Sequence, residues 1–299
     1  MNLKGKKILI TGGSGFIGSH LIKKLQNLQA EIDNFDLSLG FDIQNSKQLK
    51  TYIKKEYDVV FHLAGFSGSA MSNKDQVKSF KINSLATVNL CELICNYSSK
   101  TKLMLSSSRL EYGNPQYLPV DENHPTIPTS AYGLSKLIAT QMAQIYYRTN
   151  NLDVTIFRTS NVYGPHQTPT FSGYNVINHF IDLVTQNKTL TIYGQGEQER
   201  DYLYVDDLIE AFLLTLRLKS AGQIYNLGYG KGIKFIEMAK LIIKMVGKGK
   251  VRFVEWPTDA KDVETGSYIS DISKIKKELG FTPKVDFEEG ILRTINNKQ

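Results

Sequence analysis

Short apolar runs alternate with helical periodicity through the first half of the chain. The runs fall at Lys7–Ile10, Glu31–Phe35, Val59–Leu63, Leu103–Leu105 and Val154–Phe157. Between them, apolar positions recur at helical spacing over Ser19–Leu28, Ser46–Lys54, Val77–Asn96 and Tyr132–Asn150. Strands this short and this continuously apolar are buried on both faces, so the pattern predicts an α/β protein with a parallel sheet covered by helices on each side. Right-handed crossovers then bring ligand-binding groups to the carboxyl ends of the strands. After about Gly164 the alternation loses its regularity, and loops rich in Pro, Thr, Gly and Tyr take over.

The first strand runs into a glycine cluster with two possible registers, Gly13-x-Gly15-x-x-Gly18 and Gly12-x-x-Gly15-x-x-Gly18. A strand-to-helix turn of this kind lets the backbone approach a pyrophosphate, whose charge meets amide groups and the positive end of a helix dipole. Eighteen residues beyond Gly18, Asp36 ends the second apolar run. A carboxylate there accepts hydrogen bonds from an adenosine ribose diol and repels a 2′-phosphate. No Arg or Lys follows in Leu37-Ser38-Leu39, so NAD is favoured over NADP. The plainer reading of Asp36 is a solvated acid at a strand end, and Asp33 is the neighbour that could be confused with it. Asp42 and Ile43 fall where the adenine would lie. Together these features predict a Rossmann-type, doubly wound sheet over residues 1–165, with a return near 199–227 and a smaller, mainly substrate-binding C-terminal region over 166–299.

Composition narrows the class. At 299 residues, 41% hydrophobic and 22% charged, the chain has the make-up of a globular protein with a large core. No apolar run is long enough to span a bilayer. The N-terminus enters the first strand directly, so no signal peptide and a cytoplasmic location are expected. Cys91 and Cys95 sit four apart on one predicted helix, too few ligands for a metal, and read as core thiols. The net charge of +7 comes from dispersed Lys and Arg, which argues against a nucleic-acid partner.

Tyr132 and Lys136 open the last of the four helical stretches, and a spacing of four puts both side chains on one face. An ammonium beside a phenol stabilises the phenolate, which makes a tyrosine usable as an acid/base. Ser108, twenty-four residues upstream at the end of the fourth strand, supplies a hydroxyl for a substrate oxygen that alternates between alcohol and carbonyl.

With these residues in place the chain resembles the extended short-chain dehydrogenases/reductases, the group of nucleotide-sugar epimerases, dehydratases and reductases. Thr11–Gly18, His62-Leu63-Ala64-Gly65, Asn83, Ser106–Ser108 with Tyr112-Gly113, and Tyr132 with Lys136 carry the resemblance in the first half. Asn161-Val162-Tyr163-Gly164-Pro165, Arg200-Asp201-Tyr202, Val205-Asp206-Asp207, and Asp271 with Leu279-Gly280-Phe281 and Pro283 carry it in the second. The resemblance implies that Gly12, Gly15, Phe16, Ile17, Gly18, Leu63, Ala64, Gly65 and Asn83 contact NAD. It further implies that Lys136 also holds the nicotinamide ribose, and that Asn161 and Arg200 contact substrate phosphates. An ion pair of Arg200 with Asp201 or Asp206 is the competing reading. The arginine that relatives use on the diphosphate has no clear counterpart, which leaves Lys261 or Arg252 to replace it.

One departure bears on the reaction. Relatives that eliminate water carry an acid one or two places after the serine position, where this chain has Arg109 and Leu110; Glu111 is one place further on. The resemblance therefore implies reversible oxidation at C4 of a nucleotide-diphosphate sugar, with 4-epimerisation ranked first and C4 dehydrogenation or 4-keto reduction second. A 4,6-dehydratase and a non-catalytic NAD(H) sensor rank below. It also implies a homodimer through Val77–Asn96, which is apolar around most of its circumference, and Tyr132–Asn150, which carries more apolar surface than one packed face needs; the plainer reading buries both within one subunit.

Overall fold

The computed structural model describes residues 2–165 and 176–297. Part of the loop-rich stretch after Gly164, and the start of the expected 166–299 region, therefore lie outside the described residues. The strands are β1 Lys7–Thr11, β2 Glu31–Phe35, β3 Val59–His62, β4 Lys102–Ser108, β5 Val154–Thr159, β6 Asn161–Tyr163, β7 Thr189–Tyr193, β8 Glu199–Tyr204, β9 Ile224–Leu227, β10 Gly232–Lys234 and β11 Lys250–Val254. The first helices are α1 Phe16–Asn27, α2 Ser46–Ile53, α3 Ser69–Lys74, α4 Gln76–Ser79, α5 Ala86–Tyr97 and α6 Ala131–Asn150, followed by α7 Val176–Thr185 and α8 Val205–Leu214.

A six-stranded parallel sheet has the order β2-β1-β3-β4-β5-β9. The chain leaves β1 for β2 on one side and returns to place β3 on the other. The order thus reverses at the carboxyl ends of β1 and β3, where such sheets open a crevice for ligands. Alternation along the strands explains why both faces are covered. Leu9, Val60, Val154 and Ile156 join one core cluster with Leu49 and Ile53 of α2 and Leu90, Cys91 and Ile94 of α5. Phe61 and Phe157 lie on the opposite parity and pack against Phe212 of α8.

Two compact units emerge. The first comprises Met1–Gly113, Thr126–Arg158 and Ile209–Tyr225; the second comprises Asn114–Pro125, Thr159–Leu208 and Asn226–Gln299. The sequence pattern predicts one boundary at 165/166 with a return near 199–227. The contacts divide the chain more finely, because the loop Asn114–Pro125 and the segment from Thr159 fold with the second unit, while the returning piece begins only at Ile209. The second unit carries a three-stranded sheet of order β10-β8-β6 and the pair β11-β7.

Two local details differ from the pattern. Helix α1 begins at Phe16, three residues before the expected start, because Gly15 already closes the turn as its N-cap. The stretch expected as one helix over Val77–Asn96 contains a π-helical turn, Phe80–Leu85, between α4 and α5. Such wide turns are rare within helices and collect at functional sites.

Candidate active site

The glycine turn is crowded at both of its leading glycines, and a Cβ on Gly13 would collide with Asn34 Oδ1. Gly12 has φ +74°, and a Cβ there would lie 2.6 Å from the Ala64 nitrogen at the end of β3. A Cβ on Gly18 would lie 2.6 Å from the Gly13 Cα, so helix and turn touch backbone to backbone. No side chain caps the N-terminus of α1, and no acid occupies its first turn. A helix start without a side-chain cap, beside a glycine-rich turn, suits a pyrophosphate. Phe16 and Ile17, in the first turn of the helix, are half-buried.

Asp36 sits beside this turn. Its carboxylate accepts the Ser14 N–H at 3.0 Å, the Ser38 N–H at 2.9 Å and the Ser38 hydroxyl at 2.7 Å, so its orientation is held from two sides. Asp33 is engaged elsewhere, with the Tyr57 hydroxyl and Lys55. Asp42 caps a turn by accepting the Gln44 N–H at 2.9 Å, and Ile43 is buried in the core cluster behind it.

Beyond β3, Leu63 and Ala64 are half-buried and Gly65 is exposed. Asn83, in the π-helical turn, clamps this loop: its Oδ1 accepts the Phe66 N–H at 2.8 Å and its Nδ2 donates to the Phe66 carbonyl at 3.0 Å. A Cβ on Gly65 would lie 3.1 Å from Asn83 Oδ1 and 3.5 Å from Lys136 Nζ, which places the loop, Asn83 and Lys136 side by side.

Helix α6 starts cleanly because the Ser130 hydroxyl accepts the Gly133 N–H at 3.1 Å. That fixes Tyr132 and Lys136 in its first turns. The hydroxyls of Tyr132 and Ser108 share a hydrogen bond. Lys136 donates to the Ser106 carbonyl at 2.9 Å. Burial pushes the Lys136 ammonium down to about 8. The phenol does not show the depression anticipated from its lysine neighbour. Burial pushes Tyr132 up to about 12, Glu111 adds to the rise, and the Ser108 hydrogen bond works the other way.

Glu111 is fully buried beneath these residues. Its carboxylate accepts from Arg158 Nε at 2.7 Å, from Thr140 Oγ1 at 2.6 Å and from the Ser107 hydroxyl. Arg158 also donates to the Tyr112 hydroxyl at 3.0 Å and lies over that ring. Nothing local to Glu111 in the sequence names this partner. The available signal was an arginine inside the apolar strand Val154–Thr159, which must find an anion when that strand is buried.

In the second unit, Asn161 opens β6 and Arg200 lies on β8, with Asn161 in register with Tyr202. The Arg200 guanidinium donates to the Gly266 carbonyl at 2.6 Å and the Glu199 carbonyl at 3.0 Å, and pairs with Glu264. Its partner is thus neither of the acids suggested by sequence proximity. Asp201 is taken by the N–H groups of Tyr229, Gly230 and Ser270 at 2.7, 3.2 and 3.0 Å. Lys261 is exposed at the end of the short helical turn Thr258–Lys261, and Arg252 is exposed on β11.

Comparison with known proteins places the chain among relatives. The profile of the NAD dependent epimerase/dehydratase family matches residues 8–228. A Methanocaldococcus jannaschii protein, provisionally named a UDP-glucose 4-epimerase, is 34% identical over 303 residues, covering 97% of each chain. Human dTDP-D-glucose 4,6-dehydratase is 31% identical, over 97% of this chain and 89% of its own. The Thermus thermophilus UDP-glucose 4-epimerase, solved with NAD, superposes with a TM-score of 0.88 at 28% identity, over 97% of this chain and 98% of that one. No helix among the described residues is long and apolar enough to cross a membrane. With its residues 8–228 matched by the family profile and a 34% identical relative along 97% of its length, the chain belongs to the NAD-dependent epimerase/dehydratase family of nucleotide-sugar enzymes.

Proposed function

We propose that the protein is a nucleotide-sugar 4-epimerase acting by reversible oxidation at C4. The observation that carries this reading is the engagement of Glu111. The acid nearest Ser108 in sequence is fully buried and paired with Arg158, while Arg109 and Leu110 occupy the places where an eliminating enzyme carries its acid. Without an acid to expel water, a 4-keto sugar is left to be reduced again.

Gly12, Gly15 and Gly18, the uncapped start of α1, Asp36, Asn83 and Lys136 would hold the dinucleotide. Bound NAD would supply the acceptor for the C4 hydride, and re-reduction of the 4-keto sugar on its opposite face would give the epimer. Tyr132 takes the proton of the C4 hydroxyl through its phenol oxygen and gives it back on reduction. Ser108 donates to the same sugar oxygen, and Lys136 offsets the phenolate charge. Asn161 and Arg200 bind the diphosphate, with Arg200 exchanging Glu264 for phosphate oxygens; its planar fork suits either anion.

The purified protein is incubated with UDP-glucose and its dTDP, GDP and CDP counterparts, and products are read by NMR. The C4 epimer is expected. A 4-keto-6-deoxy product, or stoichiometric NADH with no epimer, would favour dehydration or net dehydrogenation instead. Asp36→Ala is expected to weaken NAD by about 10–100-fold, the worth of hydrogen bonds to a charged group, and to narrow the preference over NADP. Calorimetric titration checks this, and unchanged NAD affinity would move recognition away from Asp36.

The reading includes a homodimer. Val77, Phe80 and Leu85 remain exposed along α4 and its continuation, as do Leu134, Ile145 and Tyr147 on α6. These are apolar residues beyond those used to cover the sheet. Light scattering at micromolar concentration should give twice 33.7 kDa; the monomer mass would remove the dimer.

A further inference from the structure

We propose that His62 is a positioning residue, the central link of a hydrogen-bond chain that ties the strand entering the glycine turn to the backbone of Tyr132. The inference rests on the proposed acid/base role of Tyr132.

The chain consists of two hydrogen-bonded segments joined through the covalent frame of Asn83, and every donor in it points the same way. The Ala64 N–H donates to Thr11 Oγ1 at 3.3 Å. Thr11 Oγ1 and His62 Nδ1 are 2.7 Å apart, and His62 Nε2 and Thr87 Oγ1 are 2.9 Å apart. The Thr87 hydroxyl spends its proton on the Asn83 carbonyl, 2.7 Å away, so its oxygen accepts from His62 Nε2–H. Nδ1 therefore carries the lone pair and accepts the Thr11 hydroxyl proton. Asn83 Nδ2 next donates to Ser135 Oγ at 3.0 Å, and the Ser135 hydroxyl donates to the Tyr132 carbonyl at 2.8 Å.

This arrangement requires a neutral imidazole. Burial pushes His62 down to about 3, and the Lys136 charge acts in the same direction, so the ring keeps one tautomer at neutral pH. The π-helical turn Phe80–Leu85 contributes the geometry, since Asn83 uses both its carbonyl and its side chain as links. Thr11, His62, Asn83, Thr87 and Ser135 are all buried, where an unmade hydrogen bond costs most. A residue in such a chain can set position without touching substrate. Displacements of about 1 Å at a reacting group can cost up to about 10²-fold in rate.

His62→Leu and Thr87→Val break the chain on either side of the same link, and His62→Gln keeps one acceptor and one donor. We expect His62→Leu and Thr87→Val each to lower kcat about tenfold with the sugar KM within about twofold, and to raise the NAD Kd about fivefold. The double variant is expected to be no worse than His62→Leu alone, because one chain can be cut only once. His62→Gln should recover most of the loss. NAD titration needs no sugar, so it reads the proposal even if the epimerase assignment fails, and Tyr132→Phe tests the acid/base role separately. Thr87→Val is nearly isosteric, so it remains informative if His62→Leu does not fold. The proposal is overturned if Thr87→Val keeps the parental kcat and NAD Kd, if the two losses multiply, or if the variants lower only the melting temperature.

Discussion

Tyr132→Phe should retain the fold and bind NAD like the parent, yet lose hydride transfer by ~10²–10⁴-fold, the usual worth of a positioned acid/base. The substitution deletes one oxygen, which shares a hydrogen bond with Ser108, and leaves Lys136 with its bond to the Ser106 carbonyl. The cradle formed by Gly12, Gly15 and Gly18 contains no atom of Tyr132, so the dinucleotide should stay bound. Because the phenol stands at about 12, its proton is held firmly until another charge or hydrogen bond offsets the cost of burial. Absorbance at 340 nm during a single turnover reads the transfer, and dinucleotide released on denaturation reads the binding. Near-parental turnover would show that a different group moves the proton.

The second large effect concerns stability. Arg158→Met should leave the Glu111 carboxylate buried without its cation, at a cost of about 3–5 kcal/mol. That corresponds to a fall in melting temperature on the order of 10 °C. Both members are buried, so solvent cannot replace the lost partner. Ser107 and Thr140 still donate to Glu111, but neutral donors do not balance a full charge. Combining Glu111→Leu with Arg158→Met should recover much of the loss, because an apolar pair of similar volume carries no desolvation penalty. Calorimetry of the three proteins decides the matter, and Arg158→Met melting within 2 °C of the parent would mean that the pair is not held as described.

Much of the first unit was legible in the chain. Short, continuously apolar runs have few ways to be buried except as inner strands, and the five expected runs coincide with β1 to β5. The glycine turn was legible for a steric reason: a Cβ on Gly12 would lie only 2.6 Å from the Ala64 nitrogen, so only a residue without one fits where the turn after β1 passes that backbone. Tyr132 and Lys136 could be placed on one face because four residues is about one helical turn. The start of α1 was misplaced by three residues because periodicity sees side chains, whereas Gly15 closes the helix through its backbone.

Partnerships across long stretches of chain were not legible. Glu111 meets Arg158 across 47 residues, Arg200 meets Glu264 across 64, and Thr11 meets His62 across 51. The sequence alone determined where strands, turns and the Ser108, Tyr132 and Lys136 side chains would fall, because those depend on local sterics and on which residues shun water. The tertiary structure alone decided which acid is spent on an ion pair, which tautomer His62 holds, and where a phenol near 12 and an ammonium near 8 stand. Those properties arise from desolvation and from neighbours that only folding brings together.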